Sequence, residues 1–123
     1  MTTAREFIQE AKSKVRCIDL SQARELLDGG SITLLDVREK IEHDAGHIED
    51  SRHISRGVLE MQIENHPDFQ DKNASVIIYC KSGGRSALAA ATLQDMGFTN
   101  LYSLDGGFDG WSKDQAVPEG ISD

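Results

Sequence analysis

The chain predicts one α/β domain: a mostly parallel central sheet with helices on both faces. Four short runs rich in β-branched, aliphatic and aromatic residues, at 15–18, 32–37, 76–79 and 101–104, read as strands. The longer segments between them carry helical spacing, and such crossovers are what joins parallel neighbours right-handedly. A length of 123 residues is enough for one substantial core and too short for two.

Taken in order, residues 1–14 place Ala4, Phe7, Ile8 and Ala11 on one apolar stripe, a short N-terminal helical extension packed across the domain. A membrane or partner contact is the weaker reading, because the stripe is narrow and Glu6 and Glu10 offset Arg5, Lys12 and Lys14. After the first strand, Ser21 is the expected N-cap of a helix with Ala23, Leu26 and Leu27 on one face, ended by Gly29-Gly30. Residues 32–37 then form a buried strand. From 38 to 73 the pattern is mixed, with short helices expected at 39–43 and 58–65 before His66-Pro67 interrupts. The strand at 76–79 leads into a glycine-bearing loop and a helix over 86–96, with Gly97 as a left-handed cap. After the last strand, Asp105-Gly106-Gly107 turns the chain toward Trp111, read as a core anchor. The domain is expected to occupy 15–113, with 114–123 as a tail. No repeat, linker or low-complexity tract is present.

With 38% hydrophobic and 28% charged residues the composition is that of an ordinary soluble globular protein. A net charge of −8 argues against a nucleic-acid surface, which needs clustered Lys and Arg, and reads as solubility. Cys17 and Cys80 show neither a disulfide framework nor a Cys-x-x-Cys pair, and Cys17 reads as a small buried hydrophobe. With no signal-like N-terminus and no run of transmembrane length, the expected location is the cytoplasm.

The chemistry concentrates at Cys80, where the apolar run Val76-Ile77-Ile78-Tyr79 stops and the loop begins. A strand, a glycine loop and a helix in that order let consecutive backbone N–H groups converge on one point, with the positive end of the helix dipole behind them. The thiolate of Cys80 is the first anion that would be stabilised there, with Lys81 and Arg85 beside it. Between Asp71 and Asp95 there is no acidic residue, whereas Lys72, Lys81 and Arg85 are basic, so the chain is locally positive around Cys80. Asp36-Val37-Arg38 and Gly106-Gly107 also end strands, and ligands of open α/β sheets sit beyond such carboxyl ends. Three sequence-distant segments thus converge on one sheet edge.

Cys80-Lys81-Ser82-Gly83-Gly84-Arg85-Ser86 resembles the active-site loop of rhodanese-type sulfurtransferases. Leu34-Leu35-Asp36-Val37-Arg38-Glu39, Gly46-His47-Ile48 with His53-Ile54, and Leu104-Asp105-Gly106-Gly107-Phe108 with Trp111 match the same family in order and spacing, over roughly residues 15–113. The segment Glu49-Asp50-Ser51-Arg52 departs from it, where the family has small residues, often with a proline. The resemblance implies a single-domain rhodanese-like fold and covalent sulfur transfer. A Cys80 persulfide would form from a small anionic donor such as thiosulfate and pass to cyanide or a thiol, a protein thiol included. The N–H groups of Lys81, Ser82, Gly83, Gly84, Arg85 and Ser86 would hold its terminal sulfur like an oxyanion hole, with no cofactor and no metal.

Four residues separate Cys80 from Arg85, whereas phosphatases and arsenate reductases of the same fold have five, in a cradle wide enough for a tetrahedral oxyanion. That favours sulfur transfer. A non-catalytic sulfur carrier or interaction module is the alternative of a different class. Arg85 is expected to orient the donor or to pair with a carboxylate such as Asp36. Asp36 and Arg38 fit a structural network at least as well as a direct part in the reaction. His43 and His47, at i and i+4, lack a third ligand for a metal, and His47 reads as a turn residue.

Overall fold

In a computed structural model, which describes residues 2–115, all five strands are parallel, in the order β1 (Cys17–Ile18), β5 (Leu101–Leu104), β4 (Ser75–Tyr79), β2 (Ile32–Asp36), β3 (Arg52–His53). The central strands alternate between two cores. Val76, Ile78 and Cys80 face one side, against Ala89, Ala90 and Leu93 of α5 (Gly84–Asp95) and Leu59 and Ile63 of α4 (Leu59–Ile63). Ile77 and Tyr79 face the other, with Ala23 of α2 (Leu20–Asp28) and the half-buried Phe108 and Trp111 of α6 (Gly107–Gln115). The expected two-faced α/β sheet is therefore present, and Trp111 packs where expected. No helix of the described residues is long and apolar enough to cross a membrane.

Several local expectations change. The cap of α2 is Asp19, not Ser21: Asp19 Oδ1 accepts from Gln22 N at 2.8 Å and Gln22 Oε1 accepts from Asp19 N at 2.9 Å, a reciprocal box that Ser21 has no partner to make. The departing segment 49–52 is a turn that ends in the first residue of β3, which pairs with the C-terminal half of β2 and is too short to show a strand period. After the turn at Asp105-Gly106 the chain enters helix α6, which carries Trp111 and for which no helix was expected. Helix α1 (Ala4–Lys14) runs against α5, and a Cβ on Gly84 would lie 3.1 Å from Ile8 Cδ1. Of the proposed tail, residues 116–123 lie outside the described residues.

Candidate active site

Strand β4 delivers Cys80 to the carboxyl edge of the sheet, 1% exposed. Its Sγ accepts hydrogen bonds from the backbone N–H of Gly83 at 3.1 Å and of Ser86 at 3.3 Å. The chain can curl this tightly because Gly83 takes φ +115°, a left-handed conformation that side chains strain, and so hands the loop directly to α5. N–H groups point inward because the carbonyls are occupied outward: Cys80 O accepts from Phe108 N at 2.8 Å and Lys81 O from Asp109 N at 3.0 Å. The first turn of α6 is thus the outer clamp of the loop. It fits only because residue 107 is glycine, at φ +51°; a Cβ there would overlap the Cys80 carbonyl oxygen and lie 2.6 Å from that of Lys81.

Beneath the loop is a pair of fully buried hydroxyls. Ser86 Oγ lies 2.8 Å from Ser103 Oγ of β5, 3.1 Å from Gly83 O and 3.7 Å from Cys80 Sγ. Ser86 was expected in the cradle. Ser103 was not, although a serine among Leu101, Tyr102 and Leu104 in a buried strand is the kind of polar residue that needs a specific partner.

The cations stand at the mouth with carboxylates attached. Arg85 makes the expected pair with a carboxylate, two-pronged and with Glu42 of α3 (Lys40–Ala45) in place of Asp36, Nη1–Oε1 2.8 Å and Nη2–Oε2 3.0 Å. The Arg85 guanidinium draws the Glu42 carboxyl down from 4.5 to about 2, against a smaller upward push from burial. Lys81 Nζ reaches Asp109 Oδ2 at 2.9 Å. Ser82 is exposed beside Lys81. Lys72 points elsewhere, donating to Met96 O at 2.7 Å. The local positive charge read from 72–94 is therefore offset by acids distant in sequence.

Asp36 is fully buried and engaged by neighbours of its own. It accepts from Arg38 N at 2.9 Å, Nε at 3.0 Å and Nη2 at 2.7 Å, and its Oδ2 lies 2.8 Å from His43 Nδ1. Burial pushes its carboxyl up, but these hydrogen bonds outweigh burial and the net shift is down. Arg38 also donates to Gly46 O at 2.7 Å and lies over the Phe108 ring at 4.4 Å. Asp36 and Arg38 thereby tie β2, α3 and the clamp of the Cys loop together. His47 stacks on His43 at 3.8 Å and reaches His43 O at 2.8 Å, the turn role expected of it. No group of three or more His, Cys, Asp or Glu side chains among the described residues is arranged to hold a metal ion. An open groove of about 250 Å³ runs between Arg38, Glu42, Gly46, Lys81, Phe108 and Asp109 at the mouth.

The family model described as a rhodanese-like domain matches residues 19–114. The chain belongs to that family. Among rhodanese-family relatives, the thiosulfate sulfurtransferase GlpE of Ectopseudomonas mendocina (strain ymp) is 38% identical over 99 residues, covering 80% of this chain and 86% of that protein. The solved polysulfide-sulfur transferase homodimer of Wolinella succinogenes superposes with a TM-score of 0.73 at 32% identity, covering 88% and 80% of the two chains. A protein of unknown function from Rhodopseudomonas palustris CGA009, described as a possible tyrosine phosphatase, gives a TM-score of 0.86 at 30% identity over 94% and 92%. This rhodanese-family chain is a sulfurtransferase.

Proposed function

We propose that this sulfurtransferase takes the outer sulfur of thiosulfate onto Cys80 and passes it to cyanide or a thiol. The Cys80 thiolate attacks the sulfane sulfur, an Sγ–S bond forms, and the sulfur–sulfur bond of thiosulfate breaks with its electron pair leaving on sulfite. The acceptor then attacks the terminal sulfur and Sγ departs as thiolate. The convergence of the Gly83 and Ser86 N–H groups on Sγ supports this reading most directly. Donors already aimed at sulfur need no reorganisation as negative charge passes between Sγ and the atom bonded to it. Lys81 and Arg85 are the donor-facing cations, and Asp36 with Arg38 holds the neighbouring wall. Both cysteines are free, which suits a reducing compartment such as the cytoplasm.

Intact-mass measurement tests the proposal. After thiosulfate treatment the protein should gain one sulfur atom and lose it to cyanide, Cys80→Ser should do neither, and Cys17→Ser should do both. A Cys80→Ser protein that still turns over thiosulfate refutes the assignment. A second reading, phosphate-ester hydrolysis, is favoured by the likeness to the R. palustris protein. The four-residue spacing from Cys80 to Arg85 disfavours it. Cys80-dependent aryl-phosphate hydrolysis without sulfur transfer would establish it.

A further inference from the structure

The two cations that would meet a dianionic donor are both engaged at rest. Lys81, Arg85, Glu42 and Asp109 carry formal charges that cancel, on a chain of net charge −8. Behind them Arg38 is committed to Asp36 and the Gly46 carbonyl. A donor bearing two negative charges therefore meets a mouth of no net positive charge, in which each cation already has a carboxylate beside it. The two pairs differ in strength. Lys81 and Asp109 share one contact, with their side chains 61% and 55% exposed, the kind of pair that contributes little. Arg85 and Glu42 are two-pronged and only 34% and 27% exposed, a geometry in which charge-assisted hydrogen bonds are strong. Glu42 is also fixed from behind, since its Oε1 accepts from Glu39 N at 2.9 Å in the capping box of α3. It stays ionised at every physiological pH.

We propose that Glu42 sets donor specificity by charge: by occupying the Arg85 fork it disfavours dianionic thiosulfate and favours thiol persulfides, which need no second cation. The proposal rests on the reading that Cys80 carries the sulfur and Arg85 faces the donor. With a persulfide RSSH the Cys80 thiolate attacks the outer sulfur, the donor's sulfur–sulfur bond breaks, and the electron pair leaves on RS⁻. The donor brings no charge in: the negative charge of the Cys80 thiolate leaves on RS⁻, and Cys80 is left as the protonated persulfide. With thiosulfate, two further negative charges must be accommodated beside Glu42 until sulfite departs, and like charges at close range in a partly desolvated cleft are costly.

Glu42→Gln isolates the charge, because the glutamine oxygen still accepts from Glu39 N and from one arm of Arg85. The experiment measures kcat/KM for thiosulfate and for the persulfide of an uncharged thiol, in the parent and in the variant. Glu42→Gln should raise the thiosulfate-to-persulfide ratio about tenfold, chiefly through a lower KM for thiosulfate. Asp109→Asn should raise it about twofold, as befits an exposed single contact. A ratio unchanged or lowered in Glu42→Gln overturns the proposal, showing that Glu42 only positions Arg85. If that variant does not fold, Glu42→Ala removes the same charge and reads the same ratio, and no increase there overturns it as well. Failure of the parent to load sulfur from either donor would instead refute the sulfur-carrying role of Cys80, and the mass measurement reports that separately.

Discussion

Around Cys80 the sulfur is met by backbone N–H groups at 3.1 and 3.3 Å from Gly83 and Ser86, both buried, whereas the mouth a few residues away presents charges on exposed or half-buried side chains. The floor is set by φ angles, by the clamp from α6 and by a hidden hydroxyl pair. The rim is set by ion pairs that exchange with solvent and with ligands. Damage to the floor should therefore impair every donor and acceptor alike, and damage to the rim should change which donor is used.

The sharpest test of the floor is Gly107→Ala. Its Cβ has no room against the Cys80 and Lys81 carbonyls and φ +51° is itself strained, so the clamp must shift. Destabilisation of about 2–4 kcal/mol is expected in denaturant titration, together with a loss of roughly a hundredfold in sulfur transfer from both donors. A normal rate with either donor would separate the clamp from the floor. Ser103→Ala comes next. Removing its hydroxyl deprives buried Ser86 Oγ of a partner at 2.8 Å, a change of about 1–3 kcal/mol, with about a tenfold slower reaction for both donors. Ser103 acts through Ser86, so its substitution should add nothing in a Ser86→Ala background; additive losses would show that it acts by packing alone.

On the rim, Lys81→Ala should weaken thiosulfate use about threefold and leave a neutral persulfide donor nearly untouched. Equal losses for both donors would erase the distinction between floor and rim. The smallest effect is the acid dependence of the Arg85–Glu42 pair. Because the folded Glu42 carboxyl is depressed from 4.5 to about 2, its pair stabilises the protein fully above about pH 4.5 and is lost as pH falls through about 2. The stability gap between the parent and Glu42→Gln should accordingly be constant near neutrality and close over that acid window. A gap that persists at pH 2 would mean that packing, not the pair, sustains it.

The central unit was legible because local signals agree there. Val76 to Tyr79 is apolar at every position, Gly83 and Gly84 sit where the turn needs them, and Gly97 ends the helix at φ +97°. Asp36 and Arg38 were placed at the correct edge for the same reason. What escaped was pairing across long sequence distances. Nothing near Arg85 in sequence names Glu42 as its partner, and Asp36 was the nearer guess by motif, yet Arg38 lies two residues away and claims it. Helix α6 was hidden by two glycines in its first four residues, one of which is there to touch the Cys80 carbonyl rather than to favour a helix. Strand β3 has only two residues, too few for any period to show.

Backbone donors have one further property: every residue except proline supplies the same N–H. The side chains of Lys81, Ser82 and Arg85 can therefore be exchanged while the Gly83 and Ser86 N–H groups stay aimed at the sulfur, provided Gly83 and Gly107 keep the backbone in place. Stabilisation of the sulfur and choice of donor are carried by different parts of the same residues. Such a loop can diversify its substrates by single substitutions while the reacting sulfur stays protected, so a new preference can arise in a lineage without passing through an inactive intermediate.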